Sequence, residues 1–94
     1  MKLRKFYRAE FLTKNGQTAN FTNILKCYEH LQEHGNGSTI YHGMPGMDMY
    51  RLKVAASYSA FVVALKRDNY NAVPFFWVLD GQTYQVTISK HLVK

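Results

Sequence analysis

Cysteine, proline and acidic residues are scarce in this chain of 94 residues, at one, two and six. A single thiol, Cys27, rules out an internal disulfide and any zinc motif built on paired thiolates. Its place inside a helical pattern marks it as a half-buried residue rather than a nucleophile, in a reducing compartment. No apolar run approaches the roughly 20 residues that a membrane-spanning helix requires. The opening MKLRKFYRAE lacks the apolar centre of a secretion signal. The expectation is a cytoplasmic protein with no membrane partner.

Recognisable catalytic signatures are also missing. No GxSxG elbow is present, and Ser57 and Ser59 lie in or beside an expected strand. The glycine-rich stretch between Gly35 and Asp48 does not end in the Gly-Lys-Ser/Thr that cradles a nucleotide phosphate. Asp48, Asp68 and Asp80 fall in loops or turns, which disfavours a hydrolase built on paired carboxylates. His30 and His34 stand four apart, the spacing of two ligands on one helical face, without an HExxH pattern or a third ligand. They read as solvated histidines at a helix C-terminus, where the dipole favours a cation. No metal or cofactor is expected.

What is abundant is positive charge. Twelve lysines and arginines against six acids give a formal charge of +6 and a pI near 9.6. Such an excess on a small protein favours a polyanionic or acidic partner. An apolar fraction of 47% and an aromatic share of 15% suffice for one core, and no linker divides the chain, so a single domain over residues 1–94 is expected.

Leu3, Lys5, Tyr7, Ala9 and Phe11 occupy alternate positions, with Lys2, Arg4, Arg8 and Glu10 among the intervening ones, the period of a half-buried strand. Asn15-Gly16 is a turn signal. Phe21, Ile24, Leu25, Tyr28 and Leu31 form a helical stripe, predicting a helix over about 21–34 with Asn20 as N-cap and Gly35 just past its end. Residues 49–55 read as a strand in which Tyr50, Leu52 and Val54 turn inward while Arg51 and Lys53 face out. SYSAFVVALK, 57–66, reads as a central strand covered on both sides. VPFFWVLD and QTYQVTIS flank Asp80-Gly81, a type I′ hairpin signal, with Tyr84, Val86 and Ile88 on one face. Pro74 belongs at a strand start or an edge. The predicted order is β-α-β-β-β, an α+β domain with one main helix packed on a small antiparallel sheet.

Cations and tyrosines on such a sheet are the groups that hold a phosphate backbone and stack on unpaired bases. Arg51 and Lys53, with Lys90 and His91 at the end of the last strand, are the candidate catalytic residues, and Arg8, Tyr58 and Arg67 the candidate nucleic-acid contacts. On RNA such cations would hold the phosphate while a basic side chain activates the 2′-hydroxyl, with no metal needed. The bland alternative is that Arg51 and Lys53 solvate an exposed strand face.

HGMPGMDMYRLKV resembles the segment of RelE/ParE-superfamily toxins in which a Gly-Met-Pro loop leads into a strand with alternating basic residues. FFWVLDGQTYQVTISKH is similar to the closing hairpin of that fold, with its basic or histidine-containing end. The resemblance spans roughly residues 41–92. It implies a toxin of a toxin-antitoxin system acting on RNA or the ribosome, as an mRNA endoribonuclease in the ribonucleolytic members, with a cognate antitoxin as partner. By position, Arg51 and Lys53 match the alternating cations, and Lys90 or His91 the basic group after the last strand. Tyr58 is followed by Ser59 and Ala60 where many members carry an arginine, and one helix precedes the loop where members commonly have two. The alternative is a non-catalytic interaction module from a phage or mobile element, holding an acidic protein or a nucleic acid on the same basic face. A third is pairing of an exposed sheet edge with another chain.

Overall fold

The computed structural model describes residues 4–12, 16–43, 53–55 and 57–93. Six strands form one antiparallel sheet: β1 (Arg4–Phe11), β2 (Thr18–Phe21), β3 (Tyr41–His42), β4 (Lys53–Val54), β5 (Val73–Leu79) and β6 (Gln82–Val93). Their order across the sheet is β2-β1-β6-β5-β3-β4. Two helices, α1 (Ile24–His34) and α2 (Tyr58–Arg67), complete the fold. The α+β class expected from the sequence is the one observed, with more strands and one more helix.

The centre of the sheet is the long β1–β6 pairing, Arg4 opposite Val93 through Phe11 opposite Val86. The β5–β6 hairpin closes on Asp80-Gly81, whose φ values of 50° and 78° are the two left-handed conformations of a type I′ turn. Along β1 and β6 the alternation sorts side chains by face, whereas β5 is buried on both faces over 73–77, Pro74 and Phe76 included. Ala9, Val73, Phe75, Trp77, Val86 and Ile88 turn to one face and are fully covered. Pro74 is the second residue of β5, just beyond the residues Phe75 and Phe76 that pair with β3, so among the described residues that ladder does not call on it for an N–H.

The helix expected from Phe21 begins later, at Ile24, because Thr18–Phe21 pairs with β1 instead, Phe21 standing opposite Tyr7. Asn23, not Asn20, is the N-cap, its Oδ1 accepting from the Lys26 N–H at 2.9 Å. Cys27 and Leu31 are fully buried on the sheet side of α1. Gly35 closes the helix as expected, although its φ of −81° is open to any residue. The left-handed positions follow at Asn36 and Gly37, φ 52° and 80°.

Residues 57–66 are the main correction. They form α2, not a central strand. Ser57 caps the helix, its Oγ accepting from the Ala60 N–H at 3.2 Å, and Phe61, Ala64 and Leu65 bury at spacings of three and four while Val63 stands 56% exposed. Phe61 packs on Phe75 at 4.7 Å and on Tyr28 at 5.3 Å, so the helix lies against both the sheet and α1. A second correction concerns Val54, expected to anchor its strand in the core and found 58% exposed on the edge strand β4. Tyr50 and Leu52 lie outside the described residues. No helix among the described residues is long and apolar enough to cross a membrane.

Candidate nucleic-acid interface

Both helices lie on one face of the sheet. On the other, the β1–β6 register sets Phe6 opposite His91, Arg8 opposite Ser89 and Glu10 opposite Thr87, and β2 adds Asn20 beside Arg8. Directly opposed residues in an antiparallel pair share a face and stand within side-chain contact. The His91 imidazole stacks on the Phe6 ring, centroids 5.0 Å apart and planes 15° from parallel. The Arg8 guanidinium lies 5.6 Å from the same ring centroid, over it, and its Nε donates to Asn20 Oδ1 at 3.3 Å. Ser89 Oγ and His91 Nε2 form a hydrogen bond of 2.8 Å.

These contacts hold an aromatic stack, a guanidinium and an imidazole in fixed positions on an open sheet face. Phe6, Arg8, Ser89 and His91 are half-buried, so each keeps one side toward solvent. A flat π-surface beside a cation stacks an unpaired base and meets the phosphate next to it. The imidazole adds ring nitrogens that can accept or donate a hydrogen bond. Glu10, exposed further along β1, bounds the positive patch.

The other predicted site residues are distributed elsewhere. Lys90 is the chain neighbour of His91 and therefore belongs to the opposite face, where its Nζ sits 5.1 Å from the centre of the Tyr70 ring. Tyr58 opens α2 and meets Tyr28 edge-on at 5.6 Å. Arg67 ends α2 and helps line a groove of about 280 Å³ between α2 and the β3–β4 edge. His42 Nε2, on the wall of that groove, stands 3.6 Å from Asp68 Oδ2. Lys53 is opposite His42 in the β3–β4 register, and β4 lies three strands from β6, about 14 Å away at the usual strand spacing. Arg51 lies outside the described residues. Of the seven, Arg8 and His91 come together.

Phe6, Asn20 and Ser89 were not among the candidates. Phe6 had a readable signal: it is the one aromatic among the charged even positions of the first strand, an apolar ring on the polar side of the alternation. Asn20 and Ser89 carried none, since only the register places them beside Arg8 and His91.

His34 is exposed and His30 half-buried, in keeping with the solvated pair the spacing suggested, and both also make ring contacts. His34 packs on Phe11 at 4.3 Å and edge-on to Trp77 at 5.5 Å, while His30 meets Phe21 at 5.1 Å and Phe11 at 5.6 Å. Burial, with a smaller contribution from His30, holds His34 below the ordinary imidazole pKa. Among the described residues no group of three or more His, Cys, Asp or Glu is arranged to hold a metal ion. Comparison with protein-family models, with curated protein sequences and with solved structures finds no match.

Proposed function

We propose that this protein binds single-stranded RNA across the open face of its sheet, with Phe6 and His91 as the stacking platform and Arg8 as the phosphate contact. The observation that carries the reading is the Phe6–His91 stack with the Arg8 guanidinium over the Phe6 ring. Stacking of a base on an aromatic side chain contributes about 1–3 kcal/mol. The net charge of +6 supplies the long-range attraction. Unpaired strands are favoured over a duplex because only their bases are free to lie on a ring.

The RelE/ParE-like resemblance adds the proposal that the bound RNA is cleaved in the cytoplasm by a toxin held in check by an antitoxin. On the open face His91 is the group suited to take the proton of a 2′-hydroxyl, and Arg8 the group suited to stabilise charge building on the phosphate. Lys90, on the far face, has no part in that chemistry.

The test is fluorescence anisotropy of a labelled single-stranded oligoribonucleotide over a salt series, with gel analysis of the same mixtures for cleavage. Phe6→Ala and Arg8→Ala are each expected to weaken binding about 5- to 150-fold, the range that a lost stack or charged hydrogen bond implies. Binding should fall log-linearly with salt. Affinity unchanged in both variants would remove the interface, and intact RNA after binding would leave a non-catalytic module.

A further inference from the structure

β2 ends the sheet on one side, with Thr18 and Asn20 exposed along it. We infer that this edge joins the same edge of a second copy of the chain, forming a two-fold symmetric dimer through β2 and α1.

The backbone groups of β2 are sorted by the ladder it makes with β1. The Phe11 N–H donates to the Gln17 carbonyl at 2.8 Å, so Phe11 and Gln17 are a bonded pair. By the alternation of an antiparallel ladder, Ala9 with Ala19 and Tyr7 with Phe21 are bonded pairs too. Thr18 and Asn20 therefore turn their N–H and C=O groups away from β1, toward the outer edge. The strand TANF holds no charged residue and no proline, two of the devices that keep an edge from pairing. A second β2 laid antiparallel about Ala19 sets Thr18 of each copy opposite Asn20 of the other, and each such pair exchanges both of its backbone bonds.

A stable interface buries about 1,200–2,000 Å² in total, more than a pair of four-residue strands supplies. α1 provides the rest. Its outer stripe, Lys26, Glu29, His30 and Glu33, recurs at spacings of three and four and lines, with Asn20 and Phe21, a concavity of about 370 Å³ beside the β2 edge. Within one chain this stripe is poorly served. Lys26 stands in the first turn, at the positive end of the dipole, where no acid accompanies it. Glu29 and Glu33, four apart on one face, repel. Neither they nor Lys26 form an ion pair with another described residue.

An antiparallel copy answers each of these. α1 runs back along the strands, His30 against Phe21 and His34 against Phe11. The two-fold axis that pairs the β2 edges stands perpendicular to the sheet, so it keeps both α1 helices on one side and sets them antiparallel. Read in reverse the stripe is its own complement: Lys26 falls opposite Glu33 of the second copy, and Glu29 opposite His30. A foreign strand meets the backbone edge equally well, but this charge pattern is matched by the chain itself. The open faces of the two sheets then become one continuous face.

The experiment is sedimentation equilibrium of the full chain without RNA, over a wide range of concentration. The native protein is expected to associate to a dimer and no further. Thr18→Pro should weaken association about tenfold or more, as loss of a backbone hydrogen bond in each copy implies. Its N–H faces away from β1, so that ladder survives the proline, and retained amide resonances of β1 establish the fold. Lys26→Glu and Glu33→Lys should each weaken association about 5- to 30-fold, as two exposed ion pairs turned into repulsions imply. The double variant Lys26→Glu/Glu33→Lys should restore it. The two positions are seven residues apart in α1, too far to pair within one helix, so recovery reports a contact between copies. Arg8→Ala removes the proposed phosphate contact and should leave self-association as it is, which keeps the dimer separate from the RNA reading. A chain that stays monomeric up to about 1 mM, a Thr18→Pro variant that associates as the native chain does, or a double variant no better than the single ones would overturn the inference.

Discussion

Lys90 and His91 are consecutive in the chain and lie on opposite faces of the sheet: Lys90 reaches over the Tyr70 ring on the helix side, and His91 stacks on Phe6 on the open side. Adjacent strand residues always diverge in this way. Two cations next to each other at the end of a strand therefore belong to two surfaces, and their substitutions should have separable effects.

Arg8→Ala is expected to weaken single-stranded RNA binding and to reduce the slope of log affinity against log salt by about 0.7, the share of one phosphate contact on a single strand. Lys90→Ala, on the far face, should leave that slope unchanged apart from a small loss of overall field. Anisotropy titrations at four or more salt concentrations measure both slopes. Equal slopes for Arg8→Ala and Lys90→Ala would mean that the charge acts from a distance rather than through the Arg8 contact.

Residues 58–67 offer a sharp contrast between two neighbours. Phe61 is fully buried against Phe75, whereas Val63 is 56% exposed on the outer side of α2. Phe61→Ala is expected to cost about 3–5 kcal/mol through loss of buried area and the cavity left behind. A small domain with a total stability of about 5–15 kcal/mol would then be close to unfolding. Val63→Ala should shift stability by less than about 0.5 kcal/mol. Urea denaturation of the pair measures the ratio, and comparable losses would be inconsistent with a helix that shows one side to solvent.

The same residues show why the sequence was legible in some places and not in others. The β5–β6 hairpin was readable because Asp80-Gly81 names its own turn and the flanking strands alternate. α2 was not, because VVAL inside SYSAFVVALK is apolar at every position and a short apolar run fits a buried strand as well as a helix. What decided it was the capping serine and the 61-64-65 spacing. The start of α1 was displaced because Thr18–Phe21 gains more by pairing with β1 than by extending the helix, a tertiary effect that no local pattern carries. Arg8 and His91 were readable as cations or bases on strands. Their convergence needed the register, and so did the separation of Lys90 and Lys53 from them.

His34 should make stability depend on pH in one direction. Its pKa is depressed in the folded state, chiefly by burial against Phe11 and Trp77 and secondarily by His30. Below its folded pKa the imidazole, partly covered by Phe11 and Trp77, must be charged, and the folded state is penalised relative to the unfolded one. Between that value and the unfolded value of about 6.5 the unfolded chain binds more protons, so stability rises with pH and levels off above 6.5. His34→Gln removes this contribution, and the difference between native and variant unfolding free energies should therefore change between pH 5 and about 7. A difference constant over that range would show that His34 titrates as it does in the unfolded chain.

Gly35 differs from Gly81 in what it tolerates. Gly81 has φ 78° with open space around it, so a side chain there meets backbone strain and nothing else. Gly35 has an ordinary φ of −81°, but a Cβ would lie 3.2 Å from the Leu31 carbonyl and 3.4 Å from the Trp77 ring. Trp77 is fully buried and cannot swing aside without disturbing Phe11 and His34, which pack on it. Gly35→Ala is thus expected to destabilise by about 1–3 kcal/mol through overpacking, against the gain of about 0.4–1 kcal/mol that alanine brings where it fits. The Trp77 contribution is isolated by a cycle with Trp77→Phe, in which the smaller ring should recover part of the Gly35→Ala loss as a coupling above about 0.5 kcal/mol. A stabilised Gly35→Ala protein would place the helix end further from the sheet than the 3.4 Å approach of Trp77 requires.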